Sequence, residues 1–391
     1  MRATTPEPLD PGATPPAARA LAPDLARGGM LLLIAVANAH TFLYSRDVGV
    51  RGYPRDLDPI DRVVVLVQML LVDGRAYPLF ALLFGYGVSQ LARRRAERAV
   101  PGPAVQALVR RRGGWLLLIG LAHGLLLFSG DIVGAYGLIA VLLAGVLVAC
   151  SDRLLLVVAV AGIGFSGLLS TTIGIPVPAR SPHVASVATA DPLAAALERA
   201  VEWIANGLLV QALAVFGAVA LGAWAGRRRL LDEPSRHRLL LLRTAGFGIG
   251  GAVLLGLPFA LLTAEFWTAQ PLGLRLAGAA LHGLGGFAAG SGYAAVFGLV
   301  AIRYPTRPGP LAGALAACGR RSLSCYLAQS VAFVALLPAW TAALGAVATV
   351  TQATLIGTGT WAVVLVVAVL SERVGLRGPA ESLLRRLTYR R

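Results

Sequence analysis

Residues 110–131 read RRRGGWLLLIGLAHGLLLFSGD: three arginines, then eighteen residues in which His123 is the sole ionisable side chain, then Asp131. A helix rises about 1.5 Å per residue, and roughly 20 apolar residues cover the hydrocarbon of a bilayer. A basic anchor, an apolar run and a polar exit therefore describe one crossing, over 113–130. Similar runs between polar breaks fall at 21–44, 62–92, 132–150, 153–174, 198–226, 239–264, 274–302, 312–340 and 353–371. The expected fold is all-α, a polytopic integral membrane protein of about ten transmembrane helices.

Composition agrees. The chain is 57% hydrophobic and 14% charged, with a mean hydropathy of +0.72. A net charge of +16 would suit nucleic acid, but the sequence lacks aromatic and basic residues interleaved as in base-stacking modules, so no nucleic-acid partner is expected. The arginines instead sit between apolar runs and alternate in density. Arg93, Arg94, Arg95, Arg98 and Arg110–Arg112, then Arg153, then Arg227–Arg229, Arg236 and Arg238, then Arg303 and Arg307 fall in every second connection. Short cytoplasmic loops carry such an excess, so both termini are expected in the cytoplasm and the chain in a bacterial inner membrane.

The organisation expected is a disordered Pro- and Ala-rich leader over 1–20, a membrane half over 21–174, an external loop over 175–197, a second half over 198–371 and a basic cytoplasmic tail over 372–391. About five crossings per half would invert the second half relative to the first, a common transporter plan. Gly120-Leu-Ala-His123-Gly124 is faintly echoed by Gly278-Ala-Ala-Leu-His282-Gly283. Ala37-Asn38-Ala39 also has the small-x-small form of a signal-peptidase site, an alternative fate for the first helix. Cys150, Cys318 and Cys325 lie in apolar stretches without metal-ligand spacing and read as core residues, with no metal expected.

Ionisable and polar groups inside a bilayer cost about 2.5 to 3.5 kcal/mol on insertion scales, so they mark interiors or wet cavities. Arg27 and Asn38 are three turns apart on one stripe of the first crossing. The second is interrupted by Asp73, Gly74, Arg75, Tyr77 and Pro78, which line a cavity or form an external turn. His123 sits about 16 Å beyond Arg112, at mid-membrane, where it serves either as a proton acceptor or as a hydrogen-bonded packing residue. Asp131 and Tyr136 follow it; eight residues of separation argue against a direct His123–Asp131 contact along one helix. The ninth crossing opens with Gly319, Arg320, Arg321, Ser322 and Ser324. It continues with Tyr326, Gln329 and Ser330, a polar stripe suited to binding or to interhelical hydrogen bonds.

At these residues the sequence resembles the YeiB-like family of bacterial membrane proteins, domain of unknown function 418. The resemblance rests on Asp24-Leu-Ala-Arg27-Gly28 with Asn38, Phe80-Ala-Leu-Leu-Phe84-Gly85-Tyr86-Gly87, Gly120-Leu-Ala-His123-Gly124 and Gly130-Asp131-Ile132 with Tyr136. It continues through Gly319 to Ser330, and through Gly378-Pro379-Ala380-Glu381 before Arg385-Arg386-Leu387-Thr388-Tyr389. That family is distantly similar to membrane acyltransferases, which move acyl groups from a cytoplasmic thioester to an acceptor. Those enzymes carry a His eleven residues after the Arg of the first span; here that position is Asn38, and Asn is no general base. His40, about 200° around the helix, is a poor substitute.

The resemblance implies a membrane-bound acyltransferase using an acyl-CoA or similar thioester as donor, with no bound cofactor, and an envelope glycan or small molecule as acceptor. His123, Asn38 and Asp131 are the expected catalytic residues, with His123 as base and Asp131 tuning an external gate. Arg27, Arg75, Tyr77, Tyr136, Arg320, Tyr326 and Gln329 are expected to bind substrate. The alternatives are a secondary transporter with His123 and His282 as paired proton sites, or a non-catalytic membrane partner protein. The lipid bilayer is a partner in each case, and the oligomeric state stays open.

Overall fold

The computed structural model describes residues 20–176, 183–268, 270–304 and 307–389. The leader expected over 1–20 thus lies, but for Ala20, outside the described residues, as do positions 177–182 of the expected loop and the tail's last two residues. Helix α1 (Leu21–Ala39) leads through a loop into α2 (Pro59–Leu71) and α3 (Ala76–Ala96). Then follow α4 (Gly102–Leu126), α5 (Val133–Ala149), α6 (Asp152–Ser170), the single turn α7 (Ala185–Ala188) and α8 (Pro192–Glu202). The chain continues with α9 (Gln211–Arg227), α10 (Arg238–Thr263), α11 (Leu272–Ile302), α12 (Pro310–Arg320), α13 (Ser322–Leu336), α14 (Val350–Arg373) and α15 (Pro379–Tyr389).

Among the described residues, seven segments are helical, long and apolar enough to cross a membrane: Leu21–Phe42, Pro59–Ala96, Asp152–Gly174, Pro192–Arg227, Arg238–Thr263, Leu272–Ile302 and Val350–Arg373. The expectation of about ten is therefore met in part, and the differences have local causes. Helix α4 spends its early turns on Arg110, Arg111 and Arg112 and stops at Leu126, leaving a shorter apolar stretch than 113–130. Helix α5 is apolar but only 17 residues long. The run 312–340 is two helices, because the chain leaves helical geometry at Arg321 (φ −116°, ψ 26°) between α12 and α13.

The run 62–92 is also broken. Between α2 and α3, Gly74 takes a φ of +74°, open to glycine at little cost, and a β-carbon there would stand 2.8 Å from Nε2 of His282. Helices α2 and α3 do not pack along one another, so they follow end to end rather than forming a hairpin. A second irregularity is a π-helical segment, Trp203–Val210, joining α8 to α9 within one long segment.

Small residues bring the helices together, as suits a bilayer in which lipid tails are as apolar as leucine. A β-carbon on Gly85 would lie 1.9 Å from the carbonyl oxygen of Val219, and one on Gly222 would lie 1.9 Å from that of Leu82. Helices α3 and α9 thus touch backbone to backbone, and Ser89 Oγ adds a 2.6 Å hydrogen bond to the Ala223 carbonyl. Gly222→Val should part this pair and lower stability by about 2 kcal/mol, the usual cost of overpacking. Thermal unfolding in detergent, followed by size-exclusion chromatography, checks it, and an unchanged midpoint would refute the close approach.

The arginines read as topology markers also close the helix ends structurally. Arg227 donates to the carbonyls of Cys150 (2.6 Å) and Leu147 (3.1 Å), Arg93 to Gly226 O (3.0 Å) and to Asp232, and Arg111 to Leu387 O (3.2 Å). They satisfy carbonyls that the last turn of a helix leaves unbonded. These contacts define a basic end of the bundle, with the loop 43–58 at the opposite end.

Candidate functional site

Helix α4 ends at Leu126, the chain turns over residues 127–132, and α5 returns along α4. The turn, rather than the helical repeat, sets the distance between His123 and Asp131. The expectation of no direct contact is therefore corrected: His123 Nδ1 lies 2.9 Å from Asp131 Oδ1. Close passage of the hairpin depends on Gly120 and Gly134, since a β-carbon on Gly120 would meet Gly134 N at 2.2 Å.

Asp131 stands just before the first turn of α5 and accepts from Val133 N (3.1 Å, Oδ1) and Gly134 N (2.6 Å, Oδ2), free backbone donors at a helix start. The Trp203 indole donates to Oδ2 at 3.4 Å from the π-helical segment. Among the described residues every other group bonded to this carboxylate is an N–H, so Asp131 accepts throughout and His123 Nδ1 is placed to donate to it. Nε2 then presents its lone pair, and it lies 2.8 Å from Ser330 Oγ on α13. The result is a carboxylate–imidazole–hydroxyl chain whose members are 0%, 3% and 3% exposed.

The surroundings hold this chain in place. Ser129 Oγ donates to Glu202 (2.7 Å), which also accepts from Ser186 N and Oγ, and Arg199 Nε donates to Leu125 O (2.8 Å). Tyr326 lies one turn before Ser330 on the same face of α13, its ring centroid 5.0 Å from that of His123. Its hydroxyl is buried with no acceptor among the described residues. Tyr136 is within electrostatic reach of Asp131 and Tyr326 and stacks on Phe80 (5.2 Å) and Phe84 (5.1 Å), while its hydroxyl donates to Tyr77 O at 3.3 Å. Gln329 Nε2 donates to Leu31 O (3.1 Å), and its Oε1 is buried without a donor among the described residues.

Other expected site residues lie apart. Arg27 is nearer the basic end, bonded to Asp24 and to the Leu83 carbonyl. Asn38 is half-buried, and its side chain makes no polar contact among the described residues; its carbonyl accepts from Thr41 Oγ1. Arg320 pairs with Glu372 at 2.8 Å on α14. Arg75, fully buried, donates to the carbonyls of Leu70, Asp73 and Ala252 and lies 2.9 Å from His282. Arg51 grips the Asp73 carboxylate with Nε (3.0 Å) and Nη2 (2.9 Å), and His40 stacks on Tyr53 at 4.0 Å. The echoing histidines thus have unlike neighbours: His123 a carboxylate and a hydroxyl, His282 an arginine.

Ser330 and Trp203 join the site beyond the residues expected from sequence. Ser330 belonged to the noticed polar stripe, and its i, i+4 relation to Tyr326 was available. Trp203 carried no signal, because its approach to Asp131 depends on the π-helical segment.

An all-helical chain, over the described residues, with several membrane-length apolar helices and a buried polar chain between them is a helical membrane protein. Residues 225–391 match the model of the family described as Protein of unknown function (DUF418), so this stretch is similar to that family. The match contains Tyr326, Gln329 and Ser330; His123 and Asp131 lie before it. A comparison with curated proteins found no match.

Proposed function

We propose that the chain is a bacterial inner-membrane acyltransferase with both ends in the cytoplasm, moving an acyl group from a thioester such as acyl-CoA to a hydroxyl of a glycan or small molecule. The observation that carries this reading is His123 held between Asp131 and a hydroxyl, the arrangement by which an imidazole accepts a proton from an attacking oxygen. Asp131 fixes the tautomer and stabilises the imidazolium as it forms. Tyr136 and the Phe80 and Phe84 rings supply an apolar wall, Gln329 positions the acceptor through its unpartnered Oε1, and Arg27 attracts the anionic donor from the basic end. The purified chain in detergent, given radiolabelled acyl-CoA and an envelope lipid and glycan extract, should yield labelled product without any gradient. No donor-dependent product from acetyl- to palmitoyl-CoA would sink the proposal.

A second reading, a secondary transporter, draws on the broken crossing. Arg51, Asp73, Arg75, His282 and His40 gather at the α2–α3 break, and irregular backbone in a membrane protein is tolerated where it is buried in protein or lines a wet cavity. A shallow indentation with room for about one water, lined by Pro258, Phe259, Leu262, Trp267 and Arg275 among others, lies beside it, with the Phe259 ring 5.5 Å from that of His282. This reading requires sealed vesicles and gradient-dependent flux.

A further inference from the structure

Ser330 is turned in an unusual direction for a helical hydroxyl. Buried serines and threonines in helices commonly donate to the carbonyl four residues back. Ser170, Thr263 and Thr388, all buried, do so in this chain at 2.7 Å each, whereas buried Ser89 donates to the Ala223 carbonyl of another helix. Ser330, 3% exposed, meets His123 Nε2 at 2.8 Å instead, and His123 is in turn tied to Asp131 at 2.9 Å. The packing hydroxyls of Ser170, Thr263, Thr388 and Ser89 all end on backbone carbonyls. That of Ser330 lies against the lone pair of an oriented imidazole, the arrangement that activates a hydroxyl as a nucleophile.

Resting on the acyl-transfer reading, we propose that Ser330 carries the acyl group covalently between donor and acceptor. In the first step Ser330 Oγ attacks the thioester carbonyl while His123 Nε2 takes its proton. The carbon–sulfur bond then breaks, the thiolate leaves with the proton from His123, and Ser330 is left as an oxyester. In the second, the acceptor hydroxyl gives its proton to His123 and attacks the ester carbonyl; Ser330 Oγ departs and recovers that proton. The Tyr326 hydroxyl, one turn away on the same face, is the donor at hand for the carbonyl oxygen at both tetrahedral stages.

The test uses the full-length chain in detergent with diisopropyl fluorophosphate, a small serine-reactive probe, and separately with acyl-CoA quenched by acid before intact-mass and peptide analysis. Wild type should gain one adduct on the peptide containing Ser330, and His123→Gln should label at least about a hundredfold more slowly. Ser330→Ala should take no label at that peptide. Ser330→Cys should carry its acyl group as a thioester cleaved by neutral hydroxylamine, in contrast to the resistant oxyester of wild type. Absence of an adduct from wild type, an adduct on another residue alone, or full turnover by Ser330→Ala would overturn the covalent step. Full turnover by Ser330→Ala would leave acyl transfer itself standing, as direct transfer. Labelling at Ser330 without turnover of any acyl-CoA would instead support the nucleophile and remove the donor class.

Discussion

His123→Gln should lower acyl transfer in detergent by about 10³ to 10⁴-fold, because glutamine fills a similar space but cannot exchange a proton with the attacking oxygen. A factor of 10⁴ is about 5.5 kcal/mol of transition-state stabilisation. Folding should survive, since Asp131 keeps the Val133 and Gly134 amides and the Trp203 indole as donors. Asp131→Asn makes a harsher comparison. Its amide group would turn an N–H toward one of the N–H groups now meeting the carboxylate, so it should lose both activity and stability. Initial rates with saturating acyl-CoA, alongside the melting midpoint of each variant, separate the two effects. Undiminished turnover by His123→Gln would end the assignment of this histidine as base.

Legibility from sequence tracked how local the cause was. The helices 238–263, 272–302 and 350–373 lie within three residues of the runs read at 239–264, 274–302 and 353–371, because each is a long apolar run with polar ends. Breaks were partly readable: Gly74 and Pro78 flagged the second crossing, whereas the departure at Arg321 was hidden inside a run of helix-compatible residues. The candidate site was harder. Spacing on an ideal helix kept His123 and Asp131 apart, and only the end of α4 at Leu126 brings them together. Asp131, expected to tune a gate, also bonds the His123 imidazole.

The residues from distant helices divide on the same principle. Tyr326 and Gln329 could be chosen as polar groups on an apolar helix, but that rule says nothing of partners. Ser330 finds His123 across 207 residues of sequence, and Trp203 reaches Asp131 across 72. Arg320 and Arg75 were selected by the same rule, and their partners are Glu372 and a ring of carbonyls with His282. Intramembrane cost therefore picks out residues that need partners, without saying whether the partner is substrate or protein.

Asp73→Asn should lower the stability of the chain in detergent by about 3 kcal/mol, at the lower end of the cost of breaking a buried pair because Arg51 retains some solvent. The Arg51 and Asp73 side chains are 23% and 5% exposed. Burial alone would depress the Arg51 guanidinium, but the adjacent carboxylate outweighs it and holds the group above its ordinary value. Arg51 also sits at a φ of 63°, a strained conformation for a non-glycine residue that the two-pronged bond to Asp73 helps to retain. Arg51→Gln combined with Asp73→Asn should recover much of the loss, since no charge is then left unpaired, and a double-mutant cycle of melting midpoints measures the coupling. The same variant divides the two functional readings. If Asp73 only braces the break between α2 and α3, the double variant should keep acyl transfer near wild type. If Asp73 lies on a proton pathway, restoring stability should leave gradient-driven flux in vesicles abolished, and the broken crossing rather than His123 becomes the working part of the molecule.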